Sequence, residues 1–139
     1  MGNQIALKQG EATLQFIESH KIDQADAADI FVTTGTIQYL EQDLDDIILS
    51  LSKRPQHIFI NSLPAHSEQY FYTLQYLTAC EVPYKIVSQK HLVESLQKLG
   101  YELVDQWRQE RKLEIPFHLD LTLDCYSGFY FRERKELLV

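Results

Sequence analysis

ADIFVTTGTIQYLEQDLDDIILSLSK, residues 28–53, is the stretch that decides the fold. An apolar run, Ile30–Thr33, enters a small polar turn made of Thr34, Gly35 and Thr36. Leu40, Leu44, Ile47, Ile48 and Leu51 then recur at steps of four, three, one and three, one stripe at helical period. Glu41, Asp43, Asp45 and Asp46 crowd the start of that stripe and Lys53 and Arg54 its end, so both ends suit a helix dipole. Pro55 stops it. The whole is a strand–loop–helix unit whose loop lies at the carboxyl edge of a parallel sheet, where open α/β folds bind ligands. A short continuous apolar strand predicts a central position covered on both faces.

The pattern repeats downstream. His57–Asn61 reads as a second buried strand and ends in Asn61-Ser62-Leu63-Pro64, another polar loop at the same edge. Ser88 is an N-cap candidate for a helix over 89–99, with Leu92, Val93, Leu96 and Leu99 buried and Gly100 as its C′ residue. Residues 101–108 and 124–132 read as strands, and no helix-length segment separates them, so they predict an antiparallel pair. Upstream, residues 2–10 suggest a weak helix, and residues 12–18 alternate as a strand would. The aromatic-rich segment 65–87 reads as a packed lid or crossover, or as a pocket wall, with no regular period.

Composition bounds the function. The 139 residues predict one domain, 1–139, large enough for a real core. A net charge of −7 argues against a general nucleic-acid binder, which needs a basic face. No apolar run approaches the roughly 18 residues of a membrane span. No apolar h-region follows Met1-Gly2-Asn3, so no secretory signal is read there. Cys80 and Cys125 have neither metal spacing nor disulfide density, which predicts reduced thiols and a cytoplasmic setting. The five histidines, His20, His57, His66, His91 and His118, lack ligand spacing, so no metal site is predicted. Ser62 with His66 lacks a GxSxG elbow. Asp43, Asp45 and Asp46 read as a solvated helix start rather than a cation site. Trp107, Tyr126, Phe129 and Phe131 read as core or strand-pair packing, and 132–136 as a solvated tail.

Strand, helix, strand, crossover, helix, strand, strand resembles the C-terminal half of a class I S-adenosylmethionine (SAM) dependent methyltransferase. Four motifs sharpen the resemblance to one bacterial family of these enzymes. They are Ile37-Gln38-Tyr39-Leu40-Glu41, Leu63-Pro64, Leu99-Gly100-Tyr101-Glu102-Leu103 and Tyr126-Ser127-Gly128-Phe129-Tyr130-Phe131, spread over residues 28–134. The resemblance implies an α/β, Rossmann-like partial sheet with a C-terminal antiparallel strand pair. It implies SAM as cofactor, with Thr33, Thr34, Gly35, Gln38 and Tyr39 on the cofactor side. It places Asn61, Ser62 and His66 on the side of a small-molecule or sugar acceptor. No catalytic residue is fixed, although His66 or Tyr39 could serve as a general base.

One departure is large. Such enzymes begin with a strand and a glycine-rich turn, followed by an acid that accepts the ribose hydroxyls. Gly2, Gly10, Gly35, Gly100 and Gly128 do not cluster. The stretch is therefore expected to lack the first half of a SAM site, as part of a longer chain or as a shortened relative, and to be inactive alone. The alternative is a non-catalytic dimerisation or scaffolding module. Either way the Ile30–Thr33 strand is left as an open apolar edge, an association hazard. Residues 12–18, or a second copy in a homo-oligomer, are expected to pair there.

Overall fold

The computed structural model describes residues 1–10 and 13–135. Four strands form the main sheet in the order β1-β2-β7-β6: β1 (Ile30–Thr34), β2 (His57–Leu63), β7 (Leu123–Glu133) and β6 (Tyr101–Leu113). β1 and β2 run parallel, from Ile30 opposite His57 to Thr34 opposite Asn61. β7 inserts between β2 and β6 and is antiparallel to both. The parallel body and the terminal antiparallel pair thus stand as the sequence predicts, and β6 runs five residues beyond the predicted Arg108.

Alternation along the strands selects one buried face. Ile58 and Ile60 of β2, Phe129 and Phe131 of β7 and Tyr101 of β6 are fully buried. They pack under α2 (Leu44–Ser50) and α3 (Gln89–Lys98) through Leu44, Ile47, Ile48, Leu92 and Leu96. Ser88 caps α3 by accepting the His91 N–H at 3.2 Å. Gly100, at φ +94°, ends it where a side chain would be strained.

The opposite face is not covered as the sequence predicts. Val32 is 66% exposed and Ile30 55%, so β1 is an edge strand with one bare face rather than a central strand. Phe59 and Tyr130 lie half-buried on this side, their rings stacked at 4.4 Å. The expectation that residues 12–18 pair with β1 also fails. Residues 13–18 form no strand, Ala12 lies outside the described residues, and β2 is the one strand paired with β1 among them. Asn3 instead ties that segment to α1 (Gly2–Lys8) through paired hydrogen bonds with the Phe16 backbone.

Two further corrections concern the middle of the chain. α2 starts at Leu44, not near Leu40, because Ile37–Tyr39 form a 3-10 turn and Leu40 and Asp43 are extended. Segment 65–87 is not irregular. β4 (Phe71–Leu77) and β5 (Cys80–Ser88) make an antiparallel hairpin, and the short β3 (Ala65–His66) runs parallel to β5. Tyr84 and Ile86 of the hairpin join Leu123 and Tyr126 of β7 in a second small core.

Candidate functional site

The carboxyl ends of β1 and β2 bring two polar turns together. Between the Ile60–Phe129 and Leu63–Ser127 pairs, Asn61 and Ser62 stand opposite Gly128 alone, which is a β-bulge. Ser62 carries the strain of that bulge at φ +54°. The bulge aims Asn61 at its neighbours on both sides. Its Nδ2 donates to Thr34 Oγ1 at 3.3 Å, and its Oδ1 accepts from Trp107 Nε1 at 3.0 Å and Gln109 Nε2 at 3.1 Å. Ser62 Oγ donates to Gln109 Oε1 at 2.8 Å.

Trp107 reaches Asn61 because Gly128 lets it. Trp107 stands opposite Gly128 across β6 and β7. A Cβ on Gly128 would lie 2.0 Å from Trp107 Cε2, so the indole crosses β7 where a side chain would otherwise project. Trp107 and Gln109 are the site residues the sequence reading missed. The signal was a tryptophan two residues from a glutamine on one strand, facing the glycine of YSGFYF, but only the strand register reveals it.

On the β1 side, Gly35 takes φ +58° and donates its N–H to the Asn61 carbonyl at 3.0 Å. Thr33 is buried and Thr34 exposed. Gln38, from the 3-10 turn, is 3% exposed, and its Oε1 has no hydrogen-bond partner. A buried carboxamide oxygen left unpaired costs roughly 1–3 kcal/mol. Tyr39 donates its hydroxyl to Gln75 Oε1 of the hairpin at 2.6 Å and meets the Tyr84 ring edge-on. With Tyr72, Val82 and Pro83 it lines a shallow cleft between turn and hairpin.

His66 is placed apart. Its Nδ1 accepts the N–H groups of Glu68 and Gln69 at 3.2 and 3.0 Å, a turn-closing role. It borders a different groove, with Gln106, Arg108 and Cys125. Asp43 is also not a free helix start. Its Oδ1 receives Lys85 Nζ at 2.8 Å, and Lys85 is fully buried. Tyr70 donates to the same carboxylate at 3.2 Å. Burial, its contact with Tyr72 and the Asp43 charge together hold the Tyr70 hydroxyl well above its ordinary range.

Asn61 ties the two turns together, accepting the Gly35 N–H at its carbonyl and donating from Nδ2 to Thr34 Oγ1. Among the described residues no group of three or more His, Cys, Asp or Glu side chains could hold a metal ion, and no helix is long and apolar enough to cross a membrane.

No family model matches, and no curated protein matches. Among solved structures, the chain is similar to a Listeria monocytogenes protein described provisionally as an S-adenosylmethionine dependent methyltransferase. The TM-score is 0.54 at 9% sequence identity, over 77% of this chain. At that identity the similarity speaks to fold alone, and the fold is methyltransferase-like. The chain spans 62% of that protein's length.

Proposed function

We propose that residues 1–139 are the acceptor-side part of a SAM-dependent methyl-transferring fold, and that the turn residues of β1 and β2 bind a small polar molecule such as a sugar. Support comes from the fold, the four motifs and one observation that carries the reading. Gln38 is buried at the carboxyl edge with an unpartnered oxygen, next to a strained bulge that aims Asn61 and Ser62. Buried unpaired acceptors and strained backbone are both costly, and both concentrate where ligands bind. Thr33, Thr34, Gly35 and Tyr39 would face the methyl donor, Asn61 and Ser62 the acceptor, and Gln38 would serve both. His66, which closes its own turn and borders a different groove, is left out of this site.

The donor itself requires more than this stretch supplies. A strand with a glycine-rich turn would have to lie along β1, which pairs with β2 alone among the described residues. No methyl-transfer step is assigned to the present residues, and the isolated chain is expected to be inactive. Ligand-detected NMR against a panel of sugars and other small polyols tests acceptor binding. A binder displaced by Asn61→Ala and by Gln38→Leu supports the reading. A panel with no binder, or a binder indifferent to both changes, counts against it.

The same edge favours a second reading, a dimerising module without catalysis. Both readings use the β1 edge, the first for a donor-binding strand and the second for another copy, and ligand binding at the polar turns separates them.

A further inference from the structure

We propose that the groove bordered by His66, Arg108 and Ser127 binds the phosphate group of a small phosphate ester. The site is separate from the polar turns and does not rest on methyl transfer.

Alternation along β6 builds it. Trp107 and Gln109 turn toward Asn61, so Gln106 and Arg108 project from the other face of the sheet. Ser127 stands opposite Arg108 across β6 and β7, and Cys125 lies two residues before it. The loop after β3 and the first turn of α3 form the far wall, where Gln89 Nε2 donates to Gln106 Oε1 at 3.3 Å. The groove holds about 350 Å³, within the range of small-molecule sites.

Several of its donors are unspent. Arg108 Nε donates to Cys125 Sγ at 3.0 Å, which orients the guanidinium and leaves Nη1 and Nη2 as a fork. Arg132 gives its guanidinium to Glu102 and Arg111 lies over the Tyr126 ring, whereas Arg108 forms no ion pair among the described residues. His66 Nδ1 accepts two backbone N–H groups, so the ring hydrogen sits on Nε2. The first N–H groups of α3 are taken, Lys90 by the Ser67 carbonyl and His91 by Ser88 Oγ, so recognition falls on side chains.

Two hydroxyls point to a missing ligand. Ser127 is 4% exposed and lines the groove, and among the described residues its hydroxyl has no hydrogen-bond partner. Thr122 Oγ1, on the same wall, is buried and also unpartnered. Buried polar groups are normally satisfied, so a ligand oxygen here would complete the set.

The donor set selects an anion with several oxygens. A hard cation needs more carboxylate than Asp124 supplies. A neutral sugar would find donors but few acceptors for its own hydroxyls. A carboxylate is used up by the guanidinium fork, whereas a phosphate keeps a third oxygen for Ser127 or His66. Asp124, exposed at the rim, is the opposing charge.

Amide and arginine side-chain NMR of the intact chain tests the inference, at neutral pH and constant ionic strength. Inorganic phosphate should give saturable shifts at Arg108 Nε–H, Cys125 and Ser127. Glycerol phosphate should bind more tightly, since the groove has room beyond the phosphate, and acetate more weakly. Arg108→Gln, at an exposed position, should weaken phosphate about tenfold, the worth of one charge-assisted contact. Ser127→Ala should weaken it too, and Asp124→Asn should tighten it. Arg132→Gln, away from the groove, should change nothing. Should Ser127→Ala fail to fold by thermal melting, Gln106→Ala at an exposed position tests the same wall. No saturable shift with phosphate overturns the inference. So does binding that Arg108→Gln leaves intact, or that Arg132→Gln weakens equally. Acetate binding as tightly as phosphate overturns the phosphate assignment, and glycerol phosphate no tighter than inorganic phosphate overturns the ester.

Discussion

Trp107 lies across Gly128 and donates its indole N–H to Asn61 Oδ1 at 3.0 Å, joining β6 to β2 over the strand between them. One side chain thereby holds the bulge that presents Asn61 and Ser62 at the carboxyl edge.

Gly128→Ala should therefore destabilise the protein through Trp107. The new Cβ would meet the indole at 2.0 Å and displace it. Overpacking of this kind costs about 1–3 kcal/mol. Thermal melts should show Trp107→Ala recovering part of that loss in the double variant, because the space is then free. Additive losses would mean the clash is not with Trp107.

Lys85→Ala should cost about 3 kcal/mol, the low end for breaking a buried pair. The low end applies because Asp43 keeps 36% of its side chain exposed and can turn to water. The Gln42 carbonyl also loses its donor. Lys85→Met should cost less, since it fills the volume without a charge. Urea denaturation of the two variants decides this, and equal stability of Lys85→Ala and wild type would contradict it.

Alkaline pH should weaken the fold through Tyr84. Burial, and then its 2.8 Å hydrogen bond with Tyr126, raise the Tyr84 hydroxyl above its ordinary 10.0. Between that value and the raised one, the folded state holds a proton the unfolded state has lost. Stability present below pH 10 is therefore lost as pH rises. Absorbance at the tyrosinate band should titrate Tyr84 together with unfolding. Tyr84→Phe should have a shallower decline of stability above pH 10 than wild type. An equally steep decline would remove Tyr84 as its source.

Much of this was legible in the sequence, for identifiable reasons. β2, α3 and the β6–β7 pair each carry a clean period or a cap, as with Ser88 and Gly100. What escaped depends on distant partners. Asp43 reads as a helix start until Lys85, forty-two residues away, takes its carboxylate. Lys85 itself hides inside the apolar run from Val82 to Val87. The hairpin escaped because its exposed face holds Tyr72, Leu74 and Tyr76, which blurs the polar–apolar alternation a surface strand shows. The bare face of β1 escaped because an apolar run shows what a strand could bury, not whether anything arrives to bury it. The turn residues around Thr34 and Asn61 were visible from strand ends alone, whereas Trp107 and Gln109 needed the register.

Calorimetric titration of the isolated chain with S-adenosylhomocysteine decides whether this stretch alone holds a methyl donor. The Gly35 N–H already donates to the Asn61 carbonyl and no glycine-rich turn occurs in the stretch, so no saturable heat is expected at high protein concentration. Stoichiometric binding in the micromolar range would contradict it, and would show that these residues complete a methyl-donor site without a further strand.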